Sequence, residues 1–292
     1  MLKKVFSLPG TIWILFIVLA AYGVFSSCGN NTDQKTPPVD TTKVSANNAG
    51  NVDDLTQFKY DKLISNVPIP FDILRLHTEV PLTYTKEAVN PASNLPYYTS
   101  SSQKALNLGI YGGDLAYSIT YEKFEDMGSY LKCAKKLADD LGIPLAFDQQ
   151  ALSTYKKYGT NRDSLEKIVF NSYSEVDKTL KSNERIGLAS LVVTGGWLEG
   201  LYATLKTMGT TPKDEKTKSL YKKIWEQKNH LEMIMGLLGQ FKDEIAFVNL
   251  VVDLQGIQSV YDNLADKSDI SQSEIASLNE KVSVLRSKII SH

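Results

Sequence analysis

Apolar and polar positions divide this chain into three stretches of different character. From Ile12 to Phe25 nearly every side chain is apolar, preceded by Lys3 and Lys4. From Gly29 to Val52 Asn, Thr, Pro and Asp dominate, and few apolar side chains occur. Further on, apolar residues recur at three- and four-residue steps, which is the signature of amphipathic helices. Phe124, Met127, Tyr130, Leu131, Ala134, Leu137, Ala138 and Leu141 form one such stripe over residues 123–141. Gly142 then predicts a left-handed C-cap, Ile143 can fold back on the last turn, and Pro144 blocks continuation. Leu165, Ile168, Val169, Val176 and Leu180 form a second stripe, and Leu220, Ile224, Leu231, Met235 and Leu238 a third, ahead of Phe241.

The C-terminal pattern is the most regular. Leu250, Leu254, Ile257, Tyr261 and Leu264 alternate steps of four and three, and Ile275, Leu278, Val282, Leu285 and Ile289 repeat them. Ser271 and Glu274 make a capping box before the second stripe. Two such stripes joined by a short polar turn predict an antiparallel helical hairpin. No stretch alternates with a period of two between turn signals, so little or no sheet is expected. The fold class expected is all-α, a multi-helix bundle over residues 53–292. Pro68, Pro70, Pro81, Pro91 and Pro96 interrupt residues 67–100. That region has room only for short helices such as 71–78 and should wrap the bundle rather than join it.

Two predicted helices carry glycines where propensity argues against them: Gly109 and Gly113 within 106–121, and Gly195, Gly196 and Gly200 within 186–205. Each interior glycine costs about 1 kcal/mol relative to alanine. Either close helix–helix contact or a cleft admitting a ligand would offset that cost, and close contact is preferred because interior glycine mainly marks backbone approach. The 186–205 segment is apolar on most sides, as a central helix is. Two acids accompany the glycines. Asp114 shares a face with Ile110, Tyr117 and Tyr121, and Glu199 lies between Gly195 and Tyr202. An acid on a tyrosine-rich stripe is expected to be partly buried, bonded to a hydroxyl or to a cation such as Arg185. Buried acids occur both in active sites and in structural networks, so Gly109, Gly113, Asp114, Tyr117, Gly196, Glu199, Gly200 and Tyr202 are candidates for either a ligand cleft or tight packing.

Other chemistry is sparse. The histidines are His77, His230 and His292, and the chain lacks HExxH, P-loop, GxSxG and acidic calcium-loop motifs. No catalytic residue, cofactor or metal site is assigned. Glu226 and His230 could offer one edge of a metal site, but the Glu-x-x-His pairs of a di-iron bundle do not occur. Cys133 sits in an amphipathic run and is read as a small buried hydrophobe. Tyr97 and Tyr98 belong to a tyrosine-rich composition that suits recognition surfaces and bundle rims alike.

The N-terminal pattern sets the address. A charged start, an apolar core and Ser26-Ser27 before Cys28 form an export signal, 1–27, ending at a cysteine suited to lipid attachment. The apolar run falls short of the roughly 20 residues that span a membrane. The usual leucine three residues before such a cysteine is replaced by Phe25. The segment 28–52 cannot bury enough surface to offset its chain entropy and is expected to act as a tether. Removing residues 1–27 takes two lysines and no acid from 32 basic and 33 acidic side chains, raising the acidic excess from one to three. That balance argues against nucleic acid as a partner. Once Cys28 carries lipid, Cys133 has no disulfide partner within a monomer.

The run Ala105-Leu106-Asn107-Leu108-Gly109-Ile110-Tyr111-Gly112-Gly113-Asp114-Leu115-Ala116-Tyr117 resembles a segment recurring in all-helical lipoproteins of Bacteroidetes. Ile69-Pro70-Phe71 upstream is similar to their flanks, as are Lys136-Leu137-Ala138 and Leu141-Gly142-Ile143 downstream. The resemblance spans residues 60–205. It implies a helical fold and an envelope address but brings no assigned activity. The expected function is a non-enzymatic binding or structural role at the outer membrane, with the membrane and an envelope protein as partners. The alternative is a small-ligand or glycan-binding protein, hydrolytic or not, with a cleft near Asp114 and Glu199.

Overall fold

The computed structural model describes residues 70–80, 82–143, 161–182 and 185–291. The signal segment, Cys28, the tether 28–52 and Pro144 lie outside them. Among the described residues there is no strand. One α-turn, α1 (Phe71–Leu74), leads to seven long helices: α2 (Ser101–Thr120), α3 (Phe124–Asp140), α4 (Arg162–Ser182), α5 (Ile186–Met208), α6 (Lys218–Leu238), α7 (Ile245–Asp262) and α8 (Gln272–Ile290).

Helix ends follow local chemistry. The Ser100 hydroxyl accepts from the Gln103 N–H while the Gln103 side chain accepts from the Ser100 N–H, so α2 begins at Ser101 rather than near Leu106. The Ser271–Glu274 capping box opens α8. Past α3, Gly142 has φ +65° and its N–H bonds to Asp139 O, while Ile143 N–H reaches Ala138 O at 2.9 Å, closing a Schellman motif. The α2–α3 turn uses the same device without glycine. Glu122 takes φ +56°, and Lys123 N–H reaches Ser118 O at 2.8 Å. The helix expected over 71–78 is one α-turn continued by a 3-10 turn, Arg75–Thr78; further 3-10 turns, Lys86–Ala88 and Ala92–Tyr97, follow it. Proline denies these segments the N–H groups a longer helix needs.

The core is the pair α2 and α5. Residues 107–120 and 194–205 are buried without interruption. The contacts advance in the same direction on both helices: Gly109 meets Val192 and Gly196, Gly113 meets Glu199, and the Tyr117 hydroxyl meets Thr207. The two helices therefore run parallel. Gly109 and Gly195 are where they touch. A Cβ on Gly109 would lie 2.0 Å from Val192 O, and one on Gly195 would lie 2.0 Å from Leu106 O. No side chain but hydrogen fits between backbones at that separation. Helix α5 is long and apolar enough to cross a membrane, yet most of it is buried inside the domain, as a core helix is.

The other helices pack around this pair. Tyr173 of α4 is a key in a glycine-lined notch. Its hydroxyl donates to Gly109 O at 2.8 Å, and a Cβ at Gly112 would come within 2.2 Å of that hydroxyl. Beside it lies a cavity of about 20 Å3, room for about one water, bounded by Leu108, Val169 and Val192. Helices α7 and α8 pack on each other, with Lys288 paired to Asp253, and α8 also packs on α5.

Candidate functional site

Where α2, α5 and α8 meet, three charged side chains are buried together. Asp114 and Glu199 have no exposed surface and Arg286 has 4%. Gly113 creates the room: a Cβ there would sit 2.7 Å from Glu199 Cβ, so its absence lets the Glu199 stem cross toward Asp114. Glu199 accepts both arms of the Arg286 guanidinium, Nε at 2.7 Å and Nη2 at 2.6 Å. Bidentate pairing of this kind is the strongest ion-pair geometry available to a carboxylate. The guanidinium lies 4.1 Å from the centre of the Tyr202 ring, a cation–π contact. The cation supplied to the acid is therefore Arg286, from 87 residues away, and not Arg185, which occupies the N-cap position of α5 without a side-chain capping bond.

Asp114 is less well served. The Asn90 N–H is shared between its two oxygens at 3.3 and 3.2 Å, and the Glu199 side chain packs against the preceding residue, Gly113. Burial, and then the adjacent Glu199, raise Asp114 well above the ordinary carboxylate value of 3.8. Burial opposes the charge of Arg286, but Glu199 outweighs it, so the guanidinium is held above its ordinary value and stays ionised.

Polar side chains extend this cluster to the end of α8. Asn90 Nδ2 donates to the Tyr98 hydroxyl at 2.9 Å, and that hydroxyl donates to Ile290 O at 3.4 Å. Asn107 Nδ2 donates to Ile289 O at 3.3 Å. Backbone carbonyls in the last turn of a helix have no partner within it, so these contacts hold the C-terminus of α8 against α2 and the 86–98 segment. Asn90, Asn107 and Arg286 were not singled out from the sequence, and Tyr98, read there as suited to a recognition surface or a bundle rim, is buried. Arg286 did leave a signal, because it lies four residues after Val282 on the buried stripe. Asn90 left none.

The remaining candidates separate from this cluster. Tyr117 belongs to a second buried group. Its hydroxyl lies 2.7 Å from Thr207 Oγ1 and accepts the Thr85 N–H at 2.9 Å, and its ring stacks on Tyr84. His77 lies alongside, with Nδ1 3.0 Å from the Tyr121 hydroxyl and Nε2 3.0 Å from Thr204 Oγ1. Gly196 faces Tyr173 and Gly200 faces Pro70. Cys133 is a free buried thiol, pushed up by burial, and His230 pairs with Gln227. Among the described residues no three His, Cys, Asp or Glu side chains group as metal ligands. A groove of about 440 Å3 opens between α2, α7 and α8, floored by Leu106, Leu250 and Ile289, and none of the eight candidates lines it.

His77 gives the domain a definite acid response. Burial lowers it from 6.5 to about 3, so it is neutral in the folded chain and charged in the unfolded chain over that interval. The unfolded state then binds more protons, and stability is lost as pH falls from 6.5 toward 3. Between pH 6.5 and pH 4 the expected loss is about 2–3 kcal/mol. His77→Gln should flatten this slope, measured as urea midpoints at the two pH values. An unchanged slope would assign the acid response elsewhere.

No protein-family model matches the chain, and neither a curated protein nor a solved structure is detectably similar to it.

Proposed function

We propose that the chain is an envelope lipoprotein related to the helical lipoproteins of Bacteroidetes, acylated at Cys28 and anchored in the outer membrane. Its helical domain serves a non-enzymatic role, binding another envelope component or supporting one structurally. The observation that carries the non-enzymatic part is the state of its buried acids. Glu199 is occupied by Arg286, Asp114 is occupied by Asn90 and Glu199, and neither has exposed surface. Groups committed to each other in this way hold helices together; a general acid or base needs a path to substrate. For the same reason a small-ligand or glycan cleft at Asp114 and Glu199 is disfavoured, since α8 would have to leave before anything reached them.

The anchor has a direct test. Cys28→Ser should abolish fatty-acid labelling and move the protein from the membrane to the soluble fraction, because several acyl chains hold a protein far more firmly than the single chain that gives marginal binding. Unchanged retention in membranes would overturn the anchoring. The role of the domain is tested on lipidated protein cross-linked in native membranes. A reproducible envelope partner is expected, whereas turnover of an added glycan or small ester, abolished by Asp114→Asn, would establish the enzymatic alternative.

A further inference from the structure

Two carboxyl groups and one guanidinium share a site with no exposed surface at either acid. Glu199 meets the guanidinium through both oxygens, at 2.7 and 2.6 Å. Asp114 has one backbone N–H, divided between its oxygens at 3.2 and 3.3 Å, and follows Gly113, against which the Glu199 stem is packed. An ionised carboxylate removed from water needs several donors or a cation of its own. Asp114 has neither, and two carboxylates in contact repel unless a proton lies between them.

We propose that Asp114 holds a structural proton, donated to Glu199, and that this proton makes the docking of α8 through Arg286 dependent on pH. With the proton on Asp114, the site contains one anion and one cation. When the proton leaves for solvent, two carboxylates compete for one guanidinium, and the contact between α2 and α5 becomes repulsive where α8 is attached. The inference rests on this cluster alone and is independent of the lipid anchor.

The ionisable groups within electrostatic reach of Asp114 support the assignment. Besides Glu199 on α5 and Arg286 on α8, they are Tyr84 and Tyr98 from the 82–98 segment, Tyr111 of α2, Tyr130 of α3, Tyr173 of α4 and Tyr202 of α5. Burial raises all six tyrosines above their ordinary value, so none of them ionises near neutral pH to mimic the effect. The sign is fixed by the direction of the Asp114 shift. A carboxyl raised above its unfolded value of 3.8 contributes stability that is full below that value and is lost as pH rises through the folded value. His77 acts in the opposite sense and on the acid side.

Asp114→Asn imitates the protonated acid: its amide donates to Glu199 while its oxygen accepts from Asn90. Thermal melts of the helical domain within the full chain should therefore show the variant gaining on the wild type by several degrees between pH 5 and pH 9, as the wild type alone loses its proton. A gap that stays constant with pH, or a variant that falls further behind at high pH, would overturn the proposal. Should the variant fail to fold, infrared spectra of the wild type decide. A protonated-carboxyl stretch at pH 7 that disappears on raising the pH is expected, and its absence at pH 7 would overturn the proposal.

Discussion

Arg286→Ala is expected to destabilise the domain by about 3–5 kcal/mol, among the larger losses a single substitution causes. The guanidinium makes two short hydrogen bonds to Glu199 and stacks on Tyr202. Its removal leaves the Glu199 carboxylate unpaired, in a site without exposed surface and against Asp114. The cost is that of the abandoned anion more than that of the lost pair, so it should shrink when the anion is removed as well. Arg286→Met combined with Glu199→Leu should recover most of the loss, because apolar side chains of similar volume often replace buried ion pairs without penalty. Arg286→Lys should recover little, since an ammonium cannot span both carboxylate oxygens. Urea midpoints of the single and double variants provide the measurement. A loss under about 1 kcal/mol for Arg286→Ala would mean the pair is hydrated and contributes as surface pairs do.

Gly109→Ala and Gly195→Ala are each expected to cost about 3 kcal/mol or more, at or above the upper end of ordinary overpacking. The obstacle is backbone on both sides. A Cβ on Gly109 meets Val192 O at 2.0 Å and Gly196 N at 2.6 Å, and one on Gly195 meets Leu106 O at 2.0 Å. No rotamer relieves a clash between a methyl group and a helix backbone, so α2 and α5 must separate along their length. Gly112→Ala offers a comparison, because its obstacle is the movable Tyr173 ring. Gly128→Ala is the control, as nothing lies within 4 Å of a Cβ there, and it should stabilise slightly through helix propensity. If Gly109→Ala melted like Gly128→Ala, the two helices would be further apart than described.

The helices were legible in the sequence because each is a local pattern ended by a local device. The 123–141 stripe closes at Gly142, and Ser271 with Glu274 opens α8, so spacing and caps agreed without reference to the rest of the chain. What escaped, the start of α2 apart, was set by distant residues. The start of α2 was placed several residues late because the Ser100–Gln103 box precedes its apolar face. Interior glycines on α2 and α5 indicated close approach, but no spacing rule states that two helices separated by α3 and α4 run side by side and parallel. Asp114 and Glu199 could be singled out as anomalous, since acids seldom lie on apolar faces. Their cation was not identified, because the place of Arg286 four residues after Val282 marks it as near the buried stripe but does not say which acid it meets. Tyr117 follows Asp114 by three residues and shares its face, yet it serves a different cluster, because three residues of helix advance the chain by about 4.5 Å.

The parallel arrangement of α2 and α5 bears on the order in which the chain can fold. A chain that emerges from its N-terminus presents α2 long before α5, and neither can be buried until α3 and α4 have carried the backbone back across the bundle. Burial of α5 then places Glu199 in an apolar interior before its counter-charge exists. That counter-charge lies on α8, 87 residues further along the chain. The central layer therefore stays incomplete until α8 has joined it, which makes formation of the domain a late and concerted event and leaves any product that stops before Arg286 with an uncompensated charge at its centre.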